Sequence, residues 1–314
     1  MRVRLASEVF GNARSLRPIL NVLECFTTGR HDWVADARVL YAARVFFERV
    51  AANLADIIAQ LGEKAAVDMA WTAGETHVVD IGIDDLPDAV EDLCQPAVLV
   101  LEDLENDGNF VKALAHVFED SRTLEAVDKG WIEIRHAGGD RLEVVARAER
   151  ATFRRIIRIA ALLDSDRWTP GSKTSNHDKA DRLQDLGITV HVLRLREAEN
   201  YVPNRILSGI GKPTDASAKL ESLKRLNADQ RGYYDMKHGF GPKSEPPKVR
   251  AEQAGLFAGV NVSDLIRLRE GFGRKVLLAF YENRKRLKPA DFSGIGAEVE
   301  QELRGFLAKV NRII

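Results

Sequence analysis

Only two of the 314 residues are cysteine, Cys25 and Cys94, far apart and without metal-ligand spacing. That argues against a disulfide-stapled scaffold or a zinc module and for free thiols in a reducing cytoplasm. Long hydrophobic runs are missing as well. No stretch reaches the ~18–20 apolar residues of a membrane helix, and the N-terminus meets Glu8 before any apolar signal core forms. A cytoplasmic chain with no membrane partner is expected. Net charge is nearly absent, with 46 Lys and Arg against 47 Asp and Glu. The hydrophobic fraction of 45% is too high for a disordered chain. No period of 20–50 residues recurs, so repeat arrays are excluded.

The balanced total hides an asymmetry. Residues 1–205 carry 26 basic and 34 acidic side chains, a balance of −8; residues 206–314 carry 20 and 13, a balance of +7. An acidic front and a basic back suit a protein that holds cations beside a polyanion, and equally suit two solvated domains that attract each other.

Three regions follow from the patterning. Residues 1–94 are expected to be mostly helical. Trp33 to Leu61 follows a 3.6-residue period, as one long core helix or two broken near Ala51. Thr76–Ile83 reads as a strand or extended link, and Asp84-Asp85-Leu86-Pro87 opens a short helix with Pro in its first turn. Residues 95–205 alternate strand and helix. Strands are expected at 97–101, 131–136, 156–163 and 188–193, the second ended by Gly138-Gly139, with helices near 110–118, 143–153 and 178–185. This alternation predicts an α/β module with a mainly parallel sheet and helices on both faces. Residues 206–314 read as helical and basic, interrupted by a Pro/Gly/Lys-rich stretch at 239–248.

In such sheets ligands sit beyond the carboxyl ends of the strands. Three of the four strand ends present acids there: Glu102, then Asp164 and Asp166, then Glu199. Carboxylates this close repel one another unless a cation or a shared proton intervenes. Oxygen-rich clusters suit hard divalent ions, so Mg²⁺ or Mn²⁺, one or two ions, is the expected cofactor.

Three motifs carry a family resemblance: Val98-Leu99-Val100-Leu101-Glu102-Asp103, Leu163-Asp164-Ser165-Asp166 and Glu197-Ala198-Glu199-Asn200-Tyr201. Over about a third of the chain, the segment resembles a Toprim domain, the catalytic module of topoisomerases and bacterial primases. The Glu-Asn-Tyr element resembles the nuclease branch related to the overcoming-lysogenisation-defect family. That resemblance implies an endonuclease hydrolysing phosphodiester bonds of DNA or RNA, with Glu102 as ligand or base, Asp164 and Asp166 on metal, and Glu199 completing the site. It further implies a bacterial or archaeal anti-phage role with a separate ATPase sensor subunit, and a homo-oligomer. Nuclease-branch members often carry a second acid four residues after the first. Asn106 occupies that position here and Asp107 follows it, so Glu102, Asp103 and Asp107 all stand as candidate ligands.

Phosphoryl transfer also calls for a cationic helper; the candidate is Lys237. Arg231 and Tyr233, with Lys237, are candidates for contact with bases or phosphates; core packing of the tyrosines and a plain surface lysine are the alternatives. Arg274, Lys275, Arg284 and Arg286 are candidates for a duplex-facing surface. Gly209-Ile210-Gly211-Lys212-Pro213-Thr214 is rejected as a phosphate loop, because its first glycine is missing and Pro213 replaces the Mg²⁺-binding hydroxyl. The strongest rival is a phospho-acceptor receiver domain built on Glu102-Asp103 and Asp164. About 61 residues from Asp103 to Asp164 is long for that fold, and Glu199-Asn200-Tyr201 has no role in it. An inactive Toprim serving as a structural subunit is the third reading.

Overall fold

The computed structural model describes residues 1–71, 77–138 and 141–314, without the side chains of 68–71 and 213. Thr76 and Gly139 lie outside the described residues. Among those described, seven strands form two parallel sheets. β1 (Arg2–Leu5), β2 (Asp32–Trp33) and β3 (Val78–Ile81) pair in the order β2-β1-β3. β4 (Ala97–Leu101), β5 (Ile132–His136), β6 (Ile159–Leu163) and β7 (Thr189–Val192) pair in the order β5-β4-β6-β7. The chain is therefore α/β, and the larger sheet is consistent with a Toprim-like arrangement.

Every residue of β4 and β6 is buried, as their unbroken apolar runs require, while the edge strands β5 and β7 are partly exposed. One face of the sheet, through Val98, Val100, Ala161 and Leu163, packs on helices Leu142–Arg150 and Ser175–Gln184. The other face, through Leu99, Leu101, Ala160 and Leu162, packs on helix Asn106–Val117 and on Phe280, Phe306 and Val310 from the C-terminal region. Each such Val, Leu or Phe contributes about 1.5–3 kcal/mol on burial. Residues 206–314 thus share the core of the sheet, and helix Val299–Ile313 lies across β6 and β7.

From β4 the chain moves to one side to make β5, then returns past β4 to make β6. The strand order reverses between β4 and β6. That reversal opens a crevice at the carboxyl ends of these two strands, where α/β sheets bind ligands.

Residues 1–94 are helical for the most part, with a sheet whose first two strands the residue pattern does not predict. The periodic stretch breaks at Ala51, between helices Ala37–Val50 and Ala55–Trp71. Pro87 sits in the first turn of helix Leu86–Cys94. The expected third strand, 156–163, is shortened to Ile159–Leu163. The amides leading into it have other partners: the buried Asp92 carboxylate accepts from the N–H groups of Arg154 (3.0 Å), Arg155 (2.7 Å) and Ile156 (2.8 Å). Arg158, fully buried, donates to the carbonyls of Asp92, Leu93, Gln95 and Ile313. These bonds join the N-terminal unit and the C-terminal helix to the start of β6. Among the described residues no helix is long and apolar enough to cross a membrane.

Candidate metal centre

Asp164 leaves the end of β6, and Glu197 and Glu199 leave the loop after β7. One carboxylate oxygen from each lies within 4.8 Å of the others. Local bonds fix this geometry. The amide of Ala198 donates to Asp164 Oδ1 at 2.9 Å, tying the two loops together. Ser165, fully buried, donates to the carbonyl of Leu195 at 2.7 Å. Asn200 closes a reciprocal cap: its Oδ1 accepts from the Glu197 amide at 3.1 Å, and its Nδ2 donates to the carbonyls of Arg231 and Tyr234 at 2.9 Å. Tyr201, also fully buried, donates to Glu302 and accepts from the Leu195 amide. In Glu-Asn-Tyr, then, the glutamate faces the site while the asparagine and tyrosine hold the loop.

Lys237 supplies the cation. Its Nζ lies 3.1 Å from Glu199 Oε1 and 3.6 Å from Glu197 Oε2. Glu197 Oε1 also accepts from the Met236 amide at 3.1 Å. Glu199 is completely buried, and neither of its oxygens accepts a well-formed hydrogen bond. Three carboxylates against one ammonium leave a local excess of negative charge, which shows in their proton affinity. Burial, then the charge of Glu199, pushes Glu197 up to about 7. Burial, then Asp107 and Glu199, holds Asp164 well above the usual carboxylate range. Glu199 is raised by burial despite Lys237. Burial works against the Lys237 ammonium, but Glu199, Glu197 and Asp164 together hold it above its ordinary range.

The first-strand acids divide their roles. Asp103 caps helix Asn106–Val117: its Oδ1 accepts from the amides of Glu105 and Asn106 at 2.9 Å, and its Oδ2 accepts from the Asn106 side chain. Asp107 turns back, accepting the Asp103 amide at 2.9 Å. It sits close enough to Asp164 to be the largest charge acting on it, and burial pushes Asp107 up to about 6 against the bond from the Asp103 amide, with the Asp103 charge adding to the rise. Glu102, half-buried after β4, acts electrostatically on Asp107 and stands outside the three-carboxylate group.

Other expected residues fall elsewhere. Asp166 does not join the group. It is exposed, in the left-handed region at φ 53°, and accepts from Asn176 Nδ2 at 2.9 Å. With the backbone in that conformation, the strand alternation that would align Asp166 with Asp164 is lost. Arg231 and Tyr233 offer no surface to bases, because both are buried: Arg231 donates to the Val202 carbonyl and Tyr233 to that of Arg194. Arg274 and Lys275 are exposed just after Gly273, whose amide bonds the Lys237 carbonyl, so they lie near the site. Arg284 stacks on Tyr281 at 4.0 Å, with Arg286 exposed beside it. Arg284 acts on His116, nine residues beyond Asp107 on the same helix, roughly 14 Å along its axis. Those two are remote from the carboxylates. Glu197 is the residue that reading by strand ends missed. Its signal was present, as a second acid-x-acid pair, Glu197-Ala198-Glu199, matching Asp164-Ser165-Asp166 in spacing.

The donor set is all oxygen, carries excess negative charge and includes a buried carboxylate, Glu199, whose close partner is the Lys237 ammonium, which fits a hard divalent cation. No family model, curated protein or solved structure matches the chain.

Proposed function

We propose that this chain is a divalent-metal-dependent nuclease of Toprim type, with Asp164, Glu197 and Glu199 as the principal ligands and Asp107 beside them. The observation that carries this reading is the three-carboxylate group itself, with Glu199 fully buried in it and Lys237 the cation in direct contact with two of its members. Mg²⁺ or Mn²⁺ would supply the charge that activates water and steadies a leaving oxygen. The chain's own groups do the rest. Asp164 and Glu197, whose carboxyls burial pushes upward, Glu197 to about 7, would bind a cation in competition with protons. Lys237, whose ammonium stands against Glu197 and Glu199, is the cation placed to meet a phosphate at this site. Arg274 and Lys275 hold the backbone beside it. A separate ATPase sensor and a homo-oligomer belong to the same proposal.

The test is cleavage of supercoiled DNA, linear DNA and transfer RNA with Mg²⁺ or Mn²⁺, comparing the chain with Asp164→Asn. Metal-dependent cutting lost in the variant is expected. Cutting that survives in the variant, or phosphorylation of Asp164 by acetyl phosphate without cutting, would sink the reading. The position of Asp166, turned away from the group, favours a second reading in which the fold binds metal without cutting. Calorimetric Mn²⁺ binding with every nucleic acid left intact would select it.

A further inference from the structure

A cavity of about 410 Å³ is lined by residues that follow Asp164 and flank Lys237 in the chain; one of them, Asp235, accepts from the Lys237 amide at 3.1 Å and acts electrostatically on Glu197, which puts the cavity near the carboxylates. Trp168, four residues beyond Asp164, makes one wall. His238 and Phe240, directly after Lys237, make another. Lys248 and Arg250 close the third side. We propose that this cavity binds one unpaired nucleotide next to the cleaved phosphodiester, which makes single-stranded or locally opened nucleic acid the substrate. The inference rests on the nuclease reading for the position of the cleaved bond.

The walls are pre-built. Gln253 is buried and donates to the carbonyls of Trp168 at 3.0 Å and Tyr233 at 2.7 Å, fixing one wall against the other. Gly239 has φ 64°, and a Cβ there would collide with the carbonyl oxygens of Leu268 and Arg269. The Phe272 amide bonds the Met236 carbonyl at 2.7 Å, and the Gly241 amide bonds that of Arg269 at 2.9 Å. The backbone that aims Lys237 at the carboxylates therefore also sets the cavity wall. Phe240 packs in the core against Tyr234 and Phe257 and gives an apolar floor.

The chemistry of the lining suits a nucleotide. The Arg250 guanidinium lies 3.9 Å from the Trp168 ring, and the buried Arg196 lies 3.4 Å from it. Arg250 is exposed, so its plane, held on the indole, offers a shelf on which a base can stack. Lys248 and Arg250 supply charge for a phosphate. Asp235 and Glu245 also line the cavity. That mixture would weaken binding of a bare phosphate, but it matches a base that presents amino donors together with an anionic backbone. The volume lies in the ~300–1,000 Å³ range of small-molecule pockets. A base can enter such a concave site only after leaving its stack.

Binding without metal tests this separately from cutting. In EDTA, fluorescence anisotropy of the full chain is measured with a labelled single-stranded oligonucleotide and with its blunt duplex. The single strand is expected to bind about tenfold more tightly, and Arg250→Ala, Lys248→Ala and Trp168→Ala each to weaken that binding about tenfold, the scale of one stacked base. Arg250 and Lys248 are exposed, so those two variants read binding even where Trp168→Ala fails to fold. Duplex preferred over single strand, no binding at all, or wild-type binding by both exposed variants would overturn the proposal. If the variants lose binding while the parent cuts nothing, the cavity stands and the nuclease reading falls. If the parent cuts and the variants bind normally, only the cavity inference falls.

Discussion

Glu197 gives the site a measurable cost in the absence of metal. Burial and the neighbouring Glu199 raise its carboxyl from an ordinary 4.5 to about 7. Between these values the folded chain holds a proton that the unfolded chain has released, so stability falls as pH rises. This contribution is fully present below about pH 4.5 and is lost as pH passes 7. At ~1.36 kcal/mol for each pKa unit, the loss is about 3 kcal/mol. Asp107, pushed up to about 6, works in the same direction. Other buried groups oppose it: His31, held well below its usual range by burial and then Arg158, gains stability as pH rises. The assay must therefore read a difference. Glu197→Gln and the parent are melted by calorimetry in EDTA between pH 5 and 8. An unfolding entropy of ~2.1 cal/mol/K per residue over this length turns 3 kcal/mol into about 5 °C. The variant is expected to gain about 5 °C on the parent between the two ends of the series. Saturating Mn²⁺ should raise the parent's Tm more at pH 8 than at pH 5, since at pH 5 protons compete for the ligands. A Tm difference between variant and parent that stays constant across pH would refute the argument.

Glu199→Gln should lower Mn²⁺ affinity at least about tenfold by calorimetry, since it removes a ligand from a preformed group; unchanged affinity would take Glu199 out of the metal centre. Gly239→Ala forces a side chain into the left-handed region and against two carbonyls. It should cost about 3 kcal/mol or more in urea unfolding, and a parental midpoint would refute the close crossing of the two segments. Tyr201→Phe removes the hydroxyl shared by Glu302 and the Leu195 amide. A loss of about 1–3 kcal/mol in urea unfolding is expected, with Mn²⁺ affinity unchanged. A large fall in affinity with no loss of stability would reverse the roles assigned here to the loop and its ligands.

Much of the frame was legible in the residues. The apolar runs at 97–101 and 156–163 read as strands, and the structure buries every side chain of the first and of Ile159–Leu163 within the second. Punctuation placed the proline-led helix at Leu86, and period allowed either one long helix or the break near Ala51 that the structure shows. The acids after β4, β6 and β7 named the sheet edge where the carboxylates collect, because chain direction and strand alternation are local properties.

Which acids meet was not local. Asp164 and Asp166 are equivalent in sequence, but a left-handed residue and a bond from Asn176 turn one of them away. Glu197 joins the group because Asn200 caps its amide and Met236 meets its carboxylate, contacts that span up to 39 residues. Arg231 and Tyr233 left contact with bases and core packing both open in the sequence, and the folded chain buries them. The sequence by itself determined the four strands of the larger sheet, their direction and the acidic edge. Tertiary structure decided which carboxylates share one charge environment, since burial and charge–charge distance exist only once the loops after β6 and β7 close on Lys237.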